Sequence, residues 1–406
     1  MKITKLSLVA AFAMSAAFAG GDIAPVEPVV EAAACNADTT INGKAQAYYF
    51  TNNAGFSPRD NFTNRRSMFE ADSSDLGLAV TLDVSHKIYD GISANFSAVG
   101  YMNTMNGHSD LGGFESGYGL DYRGAGAFIN VANITATFGD TTFVLGRQLL
   151  NTPMLSGFDW LLAPGSFEAY TMVNTSIENV TFIASYVEEW RINNFGDNWL
   201  NLSEDVFADN GDNWTVSAGY KNDALSASVW YYNIDALLYT QVYVDAGYNF
   251  GSFAVDAMYV NTDYDFANLA GESSSDAFGV KATATLDSVE LMAAYVNVSD
   301  RTVGFVGALD NLYTSSWNSN TSQSIGDNFK VQASTTLWDV RATASYAYYE
   351  YESFAGLIND ESGEEYDVIL GYDITNCVSV DAIYTNTNYG TTENVDALEL
   401  IATYKF

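Results

Sequence analysis

From residue 39 to the C-terminus the chain repeats one device, a run of about ten residues in which apolar side chains alternate with small or polar ones, closed by turn residues. In Phe278-Gly279-Val280-Lys281-Ala282-Thr283-Ala284-Thr285-Leu286, the residues Phe278, Val280, Ala282, Ala284 and Leu286 share one face, and Lys281, Thr283 and Thr285 the other. A period of two is that of a strand, and about ten residues is what a tilted strand needs to cross a bilayer. The pattern predicts eighteen strands, at 41–50, 75–85, 92–102, 126–138, 141–148, 167–175, 178–189, 212–221, 224–233, 237–249, 252–262, 276–286, 288–298, 327–337, 338–350, 365–375, 377–387 and 395–406.

The connections add a second regularity. Those after even-numbered strands are short, as in Phe138-Gly139-Asp140, Lys221-Asn222-Asp223, Leu286-Asp287 and Thr375-Asn376, while most after odd-numbered strands are long. Short and long ends must then face opposite sides, which fits a membrane barrel with tight periplasmic turns, long outer loops and both termini in the periplasm. A β-sandwich gives no reason for loop length to follow strand parity. The expected fold is therefore all-β: a transmembrane antiparallel β-barrel of 18 strands. All five prolines (Pro25, Pro28, Pro58, Pro153, Pro164) fall outside predicted strand interiors, where each would delete a ladder hydrogen bond.

Composition sharpens this. Aromatic residues make up 14% of the chain, and many fall at strand ends: Tyr48, Tyr49, Phe50, Trp190, Trp214, Tyr220, Tyr248, Phe250, Tyr259, Tyr295, Trp338, Tyr346, Tyr348, Tyr372, Tyr384 and Tyr404. Rings there predict two aromatic girdles at the headgroup boundaries. The basic start Met1-Lys2-Ile3-Thr4-Lys5, an apolar core from Leu6 to Phe18 and the small-x-small Ala17-Phe18-Ala19 predict a signal peptide over 1–19 that is removed. A periplasmic leader over 20–38 and a single barrel over 39–406 follow. After the leader no run of eighteen apolar residues occurs, which excludes helical spans. The chain ends on a strand closing with Phe406, the form of signal that outer-membrane assembly machinery reads, so that machinery is an expected partner together with outer-membrane lipid and lipopolysaccharide.

Sixteen basic against 50 acidic residues, a formal charge of -34, make nucleic acid an improbable partner and favour cations by steering. The acidic runs Glu204-Asp205 through Asp212 and Asp360-Glu361-Ser362-Gly363-Glu364-Glu365 could hold Ca²⁺ or stand as solvated loop charges, and their spacing matches no calcium-loop motif. Only His86 and His108 are present, beside a turn and in a polar loop, so no histidine-based triad or zinc cluster is expected and the chain is not read as an enzyme. Cys35 and Cys377 fall on the same predicted side, two strands apart across the closing seam. A disulfide between them and two free thiols are both open.

Alternation assigns Lys44, Lys221, Lys281, Lys330, Arg341 and Lys405 to the lumen, with Asp83, Asp245, Asp256, Asp339, Asp381 and Glu399. A lumen of this strand number carries water and needs no chemical step. The expectation is passive diffusion of small hydrophilic solutes and ions with a weak cation preference, set by carboxylates lining the bore. The alternative is a surface-exposed structural barrel or adhesin of little conductance.

The leader Met1-Lys2-Ile3-Thr4-Lys5-Leu6-Ser7-Leu8-Val9-Ala10-Ala11 and the ending Tyr404-Lys405-Phe406 resemble those of many outer-membrane proteins. The entry Leu145-Gly146-Arg147-Gln148-Leu149-Leu150-Asn151 and the run from Thr152-Pro153-Met154 to Ala163-Pro164-Gly165 narrow the resemblance to OprD-type porins, and the whole resembles the major outer-membrane porins of Campylobacter and its relatives. That resemblance implies a third loop, about 147–166, folded into the pore, with Arg147, Asp159 and Glu168 bordering the constriction; the likeness to the Campylobacter group implies a homotrimer, and that to OprD-type channels a monomer. OprD-type channels are similar in carrying a ladder of basic side chains for carboxylated substrates. Here the inward bases are scattered and matched by acids, which argues against specific anion uptake.

Overall fold

The computed structural model describes residues 38–53, 67–70, 73–105, 125–157, 162–191, 197, 199–202, 211–265, 274–307, 312–317, 324–351, 361–388 and 394–406. Eighteen long strands form one closed antiparallel barrel. They are β1 (Thr39–Asn52), β2 (Ser74–Tyr89), β3 (Ile92–Met105), β4 (Ala125–Phe138), β5 (Thr141–Gln148) and β6 (Ser166–Asn174). There follow β7 (Val180–Arg191), β8 (Asn213–Lys221), β9 (Leu225–Ile234), β10 (Tyr239–Asn249), β11 (Phe253–Tyr264) and β12 (Ser274–Leu286). The last six are β13 (Val289–Ser299), β14 (Gly326–Leu337), β15 (Val340–Tyr351), β16 (Glu361–Thr375), β17 (Val378–Asn388) and β18 (Val395–Lys405). Each overlaps one of the eighteen segments predicted from alternation. A three-residue strand, Trp199–Asn201, extends the sheet beside the end of β7.

Each strand pairs with its sequence neighbour, and β1 pairs with β18 from Lys44↔Lys405 to Asn52↔Ala397. Closure is what the hydrocarbon demands, because an unpaired strand edge there has no water to satisfy its N–H and C=O groups. The seam is finished by Phe406, whose backbone N–H and C=O both bond to Gly43 at 2.9 Å. A Cβ at Gly43 would collide with the Phe406 ring, so the glycine lets the last aromatic lie flat over β1.

The short-turn end is built from tight reversals with left-handed residues: Gly91, Gly139, Asp287, and both Trp338 and Asp339 between β14 and β15. Positive φ at two successive positions matches the strands' own twist. Asp339 is therefore an exposed turn residue and does not line the pore. Two residues two positions apart can share a wall, but only while both are in the strand.

Outward faces carry the apolar half of the alternation, as in Phe278, Val280 and Leu286 of β12. Tyr48 and Phe50 depart from the expected girdle: they face inward and are buried in a cluster with Tyr101, Phe128 and Leu162. Trp190 likewise packs on inward Phe167, with ring centroids 6.5 Å apart. At the long-loop end the outer girdle has a repeated construction that the sequence reading did not isolate. A Tyr-x-Asn pair ends β11 (Tyr259, Asn261), β13 (Tyr295, Asn297) and β17 (Tyr384, Asn386). Each pair donates to one carboxylate on the following strand. Tyr295 and Asn297 reach Asp327 at 2.7 and 2.8 Å, Tyr384 and Asn386 reach Asp396 at 2.6 and 2.7 Å, and Tyr259 and Asn261 converge on Asp276. An amphipathic ring thus keeps its body in hydrocarbon and ties its hydroxyl to the polar rim.

Two outcomes are expected. Tyr295→Phe removes a hydrogen bond to a charged group at a half-exposed position and should cost about 1 kcal/mol, read as a shift in the denaturant midpoint of the detergent-folded barrel. Gly43→Val should be worse, by about 1–3 kcal/mol from overpacking against Phe406, and should lower the temperature at which folded electrophoretic mobility is lost.

Candidate functional site: the lumen and its constriction

The interior is not a uniformly wet channel. Inward side chains of β6 to β13 at the long-loop end form an apolar cluster that includes Val187, Trp230, Tyr232, Tyr243, Val260, Val296 and Val298. Two connections fold in to cover it. Between β5 and β6, Leu150, Met154 and Leu155 are buried, and Met154 N and Thr152 Oγ1 meet the Tyr232 hydroxyl at 3.3 and 3.2 Å. Between β13 and β14, Val303, Val306, Leu312 and Tyr313 join the same cluster. The two connections also pair with each other in parallel, Leu155–Ser156 against Val306–Gly307, with Val306 N donating to Met154 O at 2.9 Å. Burial of this apolar surface holds the inserts in place.

Residues 312–317 then run to the opposite wall. Lys281 Nζ sits 5.1 Å from the Tyr313 ring centroid, and burial pushes the Tyr313 hydroxyl well above its ordinary range. Lys330 Nζ donates to Ser315 O at 2.7 Å. Trp317 finishes the crossing: its indole Nε1 donates to Glu399 Oε1 at 3.0 Å and its backbone N to Asp367 Oδ2 at 3.4 Å. Glu399 also accepts from Tyr48, and Asp367 Oδ2 from Ser345 Oγ at 2.8 Å. The return limb of the β5–β6 connection is pinned separately by buried Arg191, which bonds Pro164 O, donates to Asn130 Oδ1 at 3.0 Å and stacks its guanidinium 4.1 Å above the Phe128 ring.

Two of the residues expected at the constriction are elsewhere. Arg147 and Glu168 share the parity of Leu145 and Tyr170, each 44% exposed on the outer wall, while their neighbours Gln148, Phe167 and Ala169 are buried inside. They form an outward ion pair at 3.4 Å, with the Arg147 guanidinium 4.2 Å above the Trp199 ring. The resemblance located the loop entry but could not fix the parity of a single position, and one step along a strand exchanges lumen for lipid. Asp159 lies outside the described residues.

Of the residues assigned to the lumen, Lys44, Asp83, Lys221, Asp245, Asp256, Lys281, Lys330, Arg341, Asp381, Glu399 and Lys405 occupy inward register positions, opposite in parity to the exposed apolar residues of their strands. The structure brings several together. Lys281 pairs with Asp256 at 3.7 Å, and Arg341 reaches Asp373 at 2.5 Å and Asp381 at 3.4 Å. Gly371 lies between Arg341 and Asp381 in register, and a Cβ there would occupy the space of their side chains. The inward acids Glu290, Glu365, Asp367 and Asp373 were missed. Glu365, Asp367 and Asp373 sit at odd positions of β16, where the outward partners Tyr366, Val368, Leu370 and Tyr372 gave the signal that could have found them.

Cys377 is an exposed free thiol in the turn between β16 and β17, and its expected partner, Cys35, lies outside the described residues. Residues 204–210 of the first acidic run and Asp360 of the second also fall outside them, the rest of the second run opens β16, and among the described residues no three His, Cys, Asp or Glu side chains come together as a metal site.

The comparisons agree with this architecture. The fold is similar to that of Acinetobacter baumannii OccAB3 (13% identity, TM-score 0.75, 91% of this chain and 99% of that one). It is also similar to Pseudomonas aeruginosa OccK3 (15%, 0.72, 91% and 96%) and to Pseudomonas aeruginosa OccK2 in complex with glucuronate (12%, 0.73, 91% and 98%). No curated protein matches the sequence significantly. The description "outer membrane porin, OprD family" matches residues 120–339, more than half of the chain. With a closed eighteen-stranded wall, an apolar exterior and a charged interior narrowed by two inserted connections, the chain belongs to the OprD family of outer membrane porins and is a passive channel for small solutes.

Proposed function

We propose that this channel passes small hydrophilic solutes with a preference for cations. The carrying observation is the balance of inward charge: Asp75, Glu290, Glu365, Asp367 and Asp373 join the expected acids and Asp339 leaves them, Lys87 and Arg191 join the expected bases, and among the described residues these ten acids face eight bases. Three of the expected bases are also occupied. Lys281 and Arg341 face carboxylates, and Lys330 is turned to a carbonyl. A bore with surplus carboxylate concentrates cations and repels anions. Glucuronate in the OccK2 complex is an anion, whereas here Lys281 and Arg341 are set against carboxylates.

The outward wall supports self-association as a trimer. Ala45, Ala47, Gly100, Ala125 and Ala402 line a shallow groove of about 680 Å³ on the lipid side of β18 and β1 to β4. Small side chains let a second wall approach closely and gain dispersion contacts that lipid fills less well.

Reversal potentials of the purified protein in a planar bilayer under a KCl gradient should fall on the cation-selective side. An anion-selective reversal would remove the charge argument, and a flat trace with folded protein would favour the structural barrel or adhesin. Cross-linking in mild detergent should give a trimeric band, weakened by Ala45→Trp, whereas a mass of one barrel at every protein concentration would refute self-association.

A further inference from the structure

Asp367 of β16 and Thr385 of β17 are register partners on the lumen face, 3% and 1% exposed. One oxygen of Asp367, Oδ2, is taken by Ser345 and the Trp317 backbone; Oδ1 is buried with no hydrogen-bond partner, and so is Thr385 Oγ1. Glu399 of β18, 1% exposed, accepts from the Trp317 indole N–H. Among the described residues no base pairs with Asp367. A carboxylate oxygen taken from water and left unpaired is costly, and the cost is relieved by a cationic donor.

The chemistry of the donor set narrows what that cation is. Ca²⁺ and Mg²⁺ need about six or more oxygen ligands, and here no three acidic, His or Cys side chains converge. A group with N–H donors needs fewer: one hydrogen to Asp367 Oδ1 and another to Thr385 Oγ1, with the negative charge of Glu399 on the neighbouring strand. We propose that Asp367 and Thr385, flanked by Trp317 and Glu399, form a lumen subsite for the primary ammonium group of a permeating solute. The subsite rests on the cation-preferring reading above and goes beyond it, because it requires hydrogen-bond donation and not charge alone.

The test uses 1,4-diaminobutane as the probe, added to the full-length protein in a planar bilayer in KCl, with block of the K⁺ current as readout. Wild type should be blocked. Asp367→Asn should raise the half-blocking concentration about tenfold and Thr385→Val several-fold, while Asp339→Asn, in the exposed turn between β14 and β15, should leave it unchanged. The permethylated diamine, of equal charge but without N–H, should block at least tenfold more weakly. Should Asp367→Asn fail to give a folded, heat-modifiable barrel, Thr385→Val carries the comparison alone. Equal block of wild type and the folded variants, or equal potency of the permethylated diamine, overturns the subsite even where the reversal potential remains cation-selective. An anion-selective wild type overturns both readings.

Discussion

The constraint on which everything else rests is the pairing of β1 with β18. In hydrocarbon every backbone N–H and C=O must find a partner within the protein, and a sheet achieves this only when its edges meet. The nine register pairs from Lys44↔Lys405 to Asn52↔Ala397, with Phe406 bonded both ways to Gly43, remove the last open edge. Once the sheet is closed, the two faces of each strand acquire different solvents, lipid outside and water or protein inside. The alternation of side chains then becomes a sorting device.

Closure also creates an interior too wide for wall side chains to fill. The protein solves this asymmetrically. On β6 to β13 the inward face is apolar at the long-loop end, and the connections after β5 and β13 fold onto it and pair with each other. On β16 to β18 the inward face carries Glu365, Asp367, Thr385 and Glu399, and the crossing segment ends there in hydrogen bonds from Trp317 to Asp367 and Glu399. Hydrophobic burial thus anchors one side of the constriction and charge-assisted hydrogen bonds the other. Solute passes a surface whose field is set by the second.

Much of this was legible in advance. Strand number, loop parity and the inward position of eleven of the charged residues follow from a period of two, because the direction of a side chain in a strand depends only on its place in the alternation. The same rule misled where the strand ended or its phase was taken from a resemblance. Asp339 left the ladder into a turn, and Arg147 and Glu168 stood one step out of phase. Tyr48 and Phe50 looked like girdle residues by composition and are interior by register.

A membrane barrel of eighteen strands could be read from the residues alone, since alternation and turn chemistry are local properties that each segment states for itself. The resemblance named one insert, the third loop; that the β13–β14 connection joins it, and where each docks, is set by the folded chain. The pairing of Leu155–Ser156 with Val306–Gly307 joins residues about 150 positions apart, and the acids that receive Trp317 lie on strands still further along. No local pattern encodes which loop will find which wall, because that choice is made by the shape of the cavity the closed sheet leaves behind.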